Sequence, residues 1–385
     1  MSDGTPAGRT SPDYARRVPA DDVEVEIADT ADAIEWCMAQ GWSDGLPVVP
    51  PERAVVDRFL AAAPWDPDAV LFHEPVRGIE VPARTVVVNA VLAGCRPSYL
   101  PVVGAALAAM SHPDFRVHIP ASSTGGAAPV IVVNGPIRHE IELNDGVNLF
   151  GPGARANATI GRCVRLVLRN ALGALPGGLD MATQGWFGKY TACFGEREEA
   201  SPWPPLHVRR GFPAHTSTVT VLASESAHNI HTCGGATADM VLRTAADVVR
   251  CLGSHSDGQS LVVIGPEHAA TLAAAGITAE ALQRVLFDAS RRTLAELKRG
   301  GRIEGAIAAE DETRTRPRAK VADDFLVLVG GGDAGCSSAW FPSWSRGRGS
   351  VAVTAPLDPS VGPIRSSVPG PASAPGLGDD TEARR

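Results

Sequence analysis

PVIVVNGP (residues 129–136) and SLVVIGP (residues 260–266) are continuous apolar runs that each end in Gly-Pro. Neither shows the alternation of apolar and polar residues that is typical of a half-exposed strand. The pattern predicts two strands, at residues 129–134 and 260–264, that are covered on both faces. Strands of this kind are typical of α/β proteins.

The segments that precede these two runs also resemble each other. Cys95 stands before a helical pattern at residues 100–110, and Cys233 stands before a helical pattern at residues 238–252. We therefore predict an α/β fold with mixed sheets, built from two pseudo-repeated halves. The alternative is that the order of helix and strand recurs by chance, because the two segments share little identity and this order is common.

The predicted halves span residues 23–180 and 181–354. Residues 1–22 and 355–385 are rich in Pro, Gly, Ser and charge, so we predict a disordered tail at each end. Other periodic segments predict helices at residues 30–40, 155–172 and 282–299 and a buried strand at residues 325–329.

The composition fits a soluble enzyme better than a nucleic-acid or membrane protein. The 385 residues are 44% hydrophobic and 20% charged, with a net charge of -8. The negative charge and the scattered basic residues argue against nucleic-acid binding. No uninterrupted apolar stretch reaches about 18 residues, so we expect no membrane association and a cytoplasmic location. The seven widely spaced cysteines are expected to stay reduced.

The segment at residues 184–212 is predicted to be a catalytic loop. Gly, Pro and charge interrupt it, yet it is too long and too aromatic for an ordinary linker. It contains Lys189, the only lysine among the first 297 residues, four positions before Cys193. A helical turn would place both side chains on one face, where the ammonium would lower the pKa of the thiol. The alternative for Cys193 is a small buried hydrophobic residue.

Five more side chains of this segment receive predicted roles. Glu196 is a candidate general acid or base, and Tyr190 belongs to the same reactive run. Arg209 and Arg210 could clamp a substrate carboxylate, with Arg210 as the anchor, and Trp203 would form a cleft wall. The alternatives are a solvated surface position for the glutamate and a packing anchor for the tryptophan.

His228, His231 and Cys233 form a second constellation, which predicts a possible divalent-metal site. Two imidazoles and a thiolate within six residues suit zinc or another borderline metal. The spacing is not that of an established zinc motif, so these histidines could instead bond backbone groups. No nucleotide or flavin fingerprint is present, and we predict no other cofactor.

Five polar or aromatic residues outside these segments are predicted to contact substrate. Trp42, Ser43 and Asp44 lie in a loop stiffened by prolines, which would form a substrate wall or a packing turn. Asn134 stands at the carboxyl end of a predicted strand, where α/β proteins place ligand contacts. Asn157 opens a helix and could bind substrate or cap that helix.

Several motifs together resemble a bacterial family of uncharacterised proteins found beside UGSC-motif selenoproteins. The resemblance covers about residues 31–355 and lies in WSDGLPVVPP (42–51), NAVLAGCRPSYLPVV (89–103), IVVNGP (131–136), GPGARANATIGR (151–162), GKYTACFGEREEASPWPPLHVRRGF (188–212) and GGGDAGCSS (330–338). It implies an enzyme subunit with thiol or selenol redox associations. Residues 334–337 read Ala-Gly-Cys-Ser, which is not the selenoprotein motif.

Three functions follow as hypotheses. The first is a thiol-dependent lyase or transferase that acts at a carbon–heteroatom bond of a small molecule, with its site at the junction of the halves. Cys193 would be its nucleophile and Lys189 its activator or an imine-forming amine. The second is a metal-dependent hydrolase or lyase that uses the two histidines and Cys233. The third is a non-catalytic partner subunit of a thiol or selenol redox enzyme. We expect a homo-oligomer in each case.

Overall fold

Two β-sheets pack face to face, and helices cover the outer face of each sheet. The computed structural model describes residues 25–345 and 350–366. It confirms a mixed α/β fold with mixed sheets. Among the described residues, no helix has the length and apolar character that crossing a bilayer requires.

The α-helices of the described residues fall on both sides of the paired sheets. They are α1 (Thr30–Ala39), α2 (Arg53–Ala62), α3 (Ala83–Ala93), α4 (Leu100–Ser111), α5 (His118–Ser122), α6 (Ile137–Glu140), α7 (Arg155–Asn170), α8 (Leu206–Arg209), α9 (Ala238–Val249), α10 (Pro266–Ala274), α11 (Ala279–Ala289) and α12 (Leu294–Arg299).

The strands form two larger sheets and two small hairpin-like pairs. They are β1 (Val70–Glu74), β2 (Ile79–Pro82), β3 (Ala128–Asn134), β4 (Cys193–Gly195), β5 (Thr218–Ser224), β6 (His228–His231), β7 (Ser260–Ile264), β8 (Arg292–Thr293), β9 (Thr315–Arg316), β10 (Phe325–Val329), β11 (Ser337–Phe341), β12 (Val353–Pro356) and β13 (Arg365–Ser366).

The first large sheet has the order β13-β12-β5-β3-β4, and the second has the order β10-β7-β11-β6. Strand β3 is parallel to β4 and antiparallel to β5. Strand β7 is parallel to β10 and antiparallel to β11. Each sheet therefore has one parallel pair at its edge.

Alternate residues of the central strands enter two different cores. Val130 and Val132 of β3 join a core that also contains Leu261 and Val263 of β7, so this core lies between the sheets. Ile131 of β3 packs instead against the helices outside the first sheet. Because both faces of each central strand are covered, its residues are apolar throughout, as the sequence pattern predicted.

Most predicted elements are confirmed, with one clear exception among the helices. The predicted strands at residues 129–134, 260–264 and 325–329 correspond to β3, β7 and β10. The predicted single helix at residues 282–299 is wrong, because it is divided into α11 and α12. Thr293 accepts a hydrogen bond from the Glu296 backbone, and the Glu296 carboxylate accepts one from the Thr293 backbone. This capping box starts a new helix.

The pseudo-repeat is not confirmed, and the sheets do not follow the predicted halves. Strand β3 belongs to the predicted half at residues 23–180, whereas its neighbours β4 and β5 belong to the half at residues 181–354. The predicted tail at residues 355–385 is wrong in its first part, because β12 ends at Pro356 and β13 pairs with it. The predicted tail at residues 1–22 and the remainder of the other tail lie outside the described residues.

Candidate functional site

The carboxyl ends of both parallel strand pairs lie at the same end of the sandwich. Strand β4 ends at Gly195, and the backbone nitrogen of Arg197 donates to the carbonyl of Val329, the last residue of β10, at 2.8 Å. The backbone nitrogen of Gly331 donates to the carbonyl of Asp145 at 2.9 Å. In α/β sheets this end is where ligands bind.

Asn134 and Glu196 meet at this end because β3 and β4 are adjacent and parallel. The amide nitrogen of Asn134 donates to Glu196 Oε2 at 2.6 Å and to Glu198 Oε1 at 2.9 Å. The backbone nitrogen of Leu206 also donates to Glu196 Oε2, at 2.8 Å. Asn134 and Glu196 are fully buried. Asn134, which was predicted at a strand end, and Glu196, which was predicted in a loop, therefore lie in one cluster.

The carboxyl group of Glu196 is suited to proton transfer near neutral pH. Burial raises its pKa to about 7, although Arg209 and the hydrogen bonds from Asn134 and Leu206 oppose this change. Its Oε1 atom is buried and has no hydrogen-bond partner among the described residues. A carboxyl group with this pKa exists in both protonation states at neutral pH, as a general acid or base requires.

Arg138 holds the acidic residues around this site. It is buried, and its guanidinium bonds Asp145 at 2.6 Å, Glu199 at 2.8 Å and the carbonyl of Glu196 at 2.8 Å. Glu198 lies 3.2 Å from the same guanidinium. The hydrogen bond from Arg138 lowers the pKa of Glu199 to about 2. Arg138 therefore compensates fixed negative charge and leaves Glu196 as the carboxyl that titrates near neutrality.

Arg209 is a partly buried cation beside Glu196. Its guanidinium donates to the carbonyls of Pro204, at 2.9 Å, and Val327. The charges of Glu196 and Glu280 act on it favourably, but no carboxylate of the described residues lies within ion-pair distance of it. This guanidinium can therefore bind an anionic group of a substrate near Glu196.

His207 lies behind the same cluster. It is fully buried, its Nε2 lies 3.4 Å from the carbonyl of Ala214, and its Nδ1 lies 3.8 Å from Glu198 Oε1 without a hydrogen bond. Burial lowers the pKa of His207, so the imidazole is neutral at neutral pH. The neutral imidazole adds no charge to the cluster.

The predicted pairing of Lys189 with Cys193 is wrong in its geometry. The helical turn that would bring them together is not formed, because a short 3-10 helix ends at Lys189 and β4 begins at Cys193. The Lys189 ammonium instead pairs with both oxygens of Asp180, at 2.7 and 2.6 Å. Cys193 is buried, and burial raises the pKa of its thiol. These surroundings favour the alternative of a small buried hydrophobic residue.

The four predicted catalytic residues are distributed along β4. Lys189 and the half-exposed Tyr190 precede the strand, Cys193 is its first residue, and Glu196 follows its last residue. Three strand residues span about 10 Å, so Glu196 is separated from Lys189 by the length of the strand. Of these four, only Glu196 belongs to the polar cluster at the carboxyl end.

The loop that begins at Trp42 is a packing turn, which was one of its two interpretations. Trp42 is buried with its ring 5.1 Å from that of Trp36. The Ser43 hydroxyl donates to the Leu46 carbonyl at 2.6 Å. Both oxygens of Asp44 accept hydrogen bonds from Arg162, at 2.8 and 2.7 Å. The polar groups of Ser43 and Asp44 are thus bound to the protein itself.

Three more predicted substrate contacts also bond the protein. The Asn157 side chain accepts from the backbone nitrogen of Asn144 and donates to its carbonyl, both at 2.8 Å. Trp203 is buried, and its ring nitrogen donates to the Ile277 carbonyl at 3.0 Å. Arg210 donates to Thr354 Oγ1 at 2.5 Å, and to two carbonyls beyond it. Arg210 therefore connects the outer strands of the first sheet rather than facing Glu196.

The predicted metal ligands do not converge. His228 and His231 are three apart on β6, and residues at this spacing project from opposite faces of a strand. The ring of His228 lies 5.2 Å from that of Trp340, whereas His231 Nδ1 lies 3.0 Å from Ser337 Oγ. In the part of the chain that the structure describes, no group of three or more His, Cys, Asp or Glu side chains is placed to hold a metal, Cys233 included.

Arg138 and Arg209 complete the site; Arg138 was not predicted from the sequence, whereas Arg209 was considered only together with Arg210, which was preferred as the anchor. Arg138 could have been found from its position, since it follows the strand-ending Asn134 by four residues. Arg209 adjoins Arg210, and nothing in the sequence distinguishes which of two neighbouring arginines faces a carboxyl group. The roles of these two arginines can be assigned only from the path of the backbone at the end of α8.

No family model matches the chain, and neither a curated protein nor a solved structure matches it. The likeness to the family found beside UGSC-motif selenoproteins therefore stays a prediction. Function must be argued from the chemistry of the site itself.

Proposed function

We propose that this chain is a metabolic enzyme, a lyase that breaks a carbon–heteroatom bond in a small carboxylate. In this proposal Glu196 moves the proton and Arg209 binds the substrate carboxylate. The observation that carries it is the buried Glu196 carboxyl, which has a pKa of about 7 and an Oε1 atom without a hydrogen-bond partner. Beside it lies the Arg209 guanidinium, which has no carboxylate partner among the described residues.

The proposed reaction is a β-elimination. The Glu196 carboxylate takes the proton from the carbon next to the substrate carboxylate, and the electron pair of that C–H bond forms a double bond to the β carbon. The heteroatom leaves with its bonding electrons and receives a proton from the Glu196 carboxyl group or from water. Arg209 stabilises the negative charge that develops on the substrate carboxylate as the proton leaves.

This proposal keeps the lyase activity expected from the sequence and omits the thiol. A nucleophilic thiol must ionise, and the burial that raises the pKa of Cys193 opposes ionisation. The lyase reaction needs only a base and an anion-binding group, which Glu196 and Arg209 supply. The cytoplasmic location and the homo-oligomeric state expected from the sequence remain part of the proposal.

The test is solvent deuterium exchange, because proton abstraction from carbon can be seen even when elimination is slow. The protein is incubated in D₂O with a panel of carboxylates that bear a β-hydroxyl, β-amino or β-thioether group. Loss of the α-proton signal and appearance of the alkene are followed by proton NMR. Glu196→Gln, which removes the base, is expected to lower exchange by at least about 100-fold.

Two further variants make the test specific. Arg209→Gln is expected to raise KM for the carboxylate and to lower kcat, since it removes the anchor but not the base. Glu140→Gln removes the same charge from an exposed position on α6 and is expected to exchange like the wild type. Exchange that persists in Glu196→Gln, or that is absent for every compound in the wild type, contradicts the proposal.

A further inference from the structure

A polar cavity lies where the chain enters the second sheet, away from Glu196. It measures about 400 Å³ and is lined by His255, Ser256 and Asp257 from the loop before β7 and by Arg302 and Arg316 on the facing side. The loop stands at the amino end of β7, whereas the Glu196 cluster stands at the carboxyl ends of the parallel strands. The two locations are therefore at opposite ends of the sandwich.

Three buried nitrogen atoms around this cavity have no hydrogen-bond partner among the described residues. They are Nε2 of His255 and Nε of Arg302, which both line the cavity, and Nη1 of Arg318, which does not line it but whose charge acts on His255. His255 is 6% exposed and Arg318 is 1% exposed, so bulk water does not satisfy these groups. Buried donors without partners are costly in a folded protein, and a bound acceptor that reached them would offset this cost.

The cations here outnumber the carboxylates that pair with them. Arg302 donates to the carbonyl of His255 at 2.7 Å, and no carboxylate of the described residues lies within ion-pair distance of it. Arg318 donates to a carbonyl and lies 4.2 Å from the centre of the Trp340 ring, again without a carboxylate.

Three acidic side chains lie near these cations, and none of them pairs with Arg302 or Arg318. Asp257 pairs with Arg316 at 2.7 Å and with Lys320 at 2.8 Å. Burial raises the pKa of Glu225, although the charges of Arg302 and Arg318 oppose this change. Glu304 also lines the cavity, and it is exposed.

The state of His255 agrees with an excess of positive charge. Burial lowers its pKa to about 4, and the charges of Arg318, Arg316, Arg302 and Arg292 act in the same direction. The imidazole is thus neutral at neutral pH and can donate one hydrogen bond without adding charge.

We infer that this cavity binds the oxyanion group of a small metabolite, a phosphate or a carboxylate, between Arg302 and His255. A guanidinium and an imidazole N–H supply the donors that oxyanions accept. The cavity is larger than a phosphate alone, because a water molecule occupies about 30 Å³ and a phosphate ion has only five heavy atoms. Leu297 and Ile303 line the remaining space and would contact the apolar part of the metabolite.

Isothermal titration of the full-length protein tests this site with three probes: inorganic phosphate, pyrophosphate and citrate. Saturable binding of phosphate or pyrophosphate identifies a phosphate site, and binding of citrate alone identifies a carboxylate site. Arg302→Gln is expected to weaken the bound probe at least about tenfold, which corresponds to about 1.4 kcal/mol. Arg302→Lys keeps the charge and is expected to lose less.

Three additional measurements separate this site from general charge effects. Arg284→Gln removes an exposed arginine from α11 and is expected to leave the affinity unchanged. The imidazole nitrogen signals of His255 are expected to shift on titration in nitrogen NMR, and His255→Asn is expected to weaken binding even though it removes no charge. Thermal unfolding of each variant confirms that it is folded.

The inference is overturned if none of the three probes binds at concentrations up to about 10 mM. A dissociation constant above this value corresponds to a binding free energy of less than about 3 kcal/mol. It is also overturned if Arg302→Gln and Arg284→Gln weaken binding equally, because that result indicates a surface charge effect. Neither result bears on Glu196, since the proposed lyase site lies at the other end of the sheets.

Discussion

Asn134 and Glu196 are 62 residues apart in the chain and are joined by a 2.6 Å hydrogen bond at the carboxyl ends of two parallel strands. The amide nitrogen of Asn134 fixes one oxygen of the carboxyl group and leaves the other without a partner. An oriented carboxyl with one free oxygen is suited to exchange a proton with a substrate. The arrangement depends on the parallel pairing of β3 and β4, which brings the two strand ends together.

The first prediction concerns stability against pH. The folded-state pKa of Glu196, about 7, exceeds the value of about 4.3 of an unfolded glutamate, so the folded chain binds more protons between these values. The free energy of unfolding should therefore fall as the pH rises through this window. Glu196→Gln resembles the protonated form and should remove this fall, which amounts to at most about 4 kcal/mol.

Urea unfolding at several pH values measures this effect. The difference between wild type and Glu196→Gln is the informative quantity, since other groups that titrate contribute equally to both. The variant should be the more stable of the two at pH values above about 7, where the wild type holds a buried carboxylate. If the free energies of unfolding of wild type and Glu196→Gln changed in parallel with pH, Glu196 would titrate normally. The control Glu140→Gln should change in parallel with the wild type.

The second prediction concerns the thiols. Cys233 is exposed and should react first with a disulfide reagent, whereas Cys193 should react only when the protein unfolds. Lys189→Ala should not change the rate at Cys193, because the ammonium pairs with Asp180. The rates are measured by mass spectrometry of labelled peptides. A fast reaction at Cys193 that slows in Lys189→Ala would restore the thiol mechanism inferred from the sequence.

The sequence was sufficient to predict the buried strands but not which side chains meet at the site. Continuous apolar runs identify strands covered on both faces, and the end of such a strand correctly pointed to Asn134. The spacing of Lys189 and Cys193 led to a wrong prediction. Residues four positions apart are neighbours on a helix, but not where a short 3-10 turn leads into a strand. Local spacing has meaning only once the backbone conformation is known.

Arg209 and Arg210 show the same limit at a single peptide bond. Arg209 lies beside Glu196, whereas Arg210 bonds Thr354 and two carbonyls of the first sheet. Burial lowers the pKa of Arg210 to about 10. The two residues have the same side chain and adjacent positions, so composition and spacing cannot separate the substrate anchor from the structural arginine. Helix α8 ends at Arg209, and this change of backbone conformation directs the side chains of Arg209 and Arg210 to different places.

The third prediction tests the packing role of the loop that begins at Trp42. Arg162 is mostly buried and bonds both oxygens of Asp44, together with the carbonyls of Leu46 and Pro47. Arg162→Ala leaves Asp44 without its cation and should lower the free energy of unfolding by about 3 kcal/mol. Arg162→Lys should recover only part of this loss, because lysine cannot form the two parallel bonds.

An exposed ion pair of the same chain is the control. Arg243 and Asp239 pair on the surface of α9, and Arg243→Ala should change the free energy of unfolding by less than about 1 kcal/mol. Equal losses in the two alanine variants would contradict the packing role of the loop. Under the proposed lyase function, deuterium exchange per folded molecule should be unchanged in Arg162→Lys.

The fourth prediction concerns Gly265, which directly follows strand β7 of the second sheet. Its backbone lies at φ -63° and ψ 147°, a conformation that any residue adopts, so conformational strain does not require glycine here. A Cβ atom at this position would lie 2.1 Å from the backbone carbonyl oxygen of Ser337, the first residue of β11. The backbone of β11 cannot move away from this Cβ atom without breaking its hydrogen bonds to β6 and β7.

Gly265→Ala should therefore lower the free energy of unfolding by about 2–3 kcal/mol, as overpacking does. The matched control is Gly253→Ala, since a Cβ atom at Gly253 would meet nothing within 4 Å, and it should be neutral within about 0.5 kcal/mol. Urea unfolding of the two variants measures the difference. A neutral Gly265→Ala would mean that β7 and β11 are less closely packed at Ser337 than the structure shows, and the position of the loop that contains Cys336 would have to change with them.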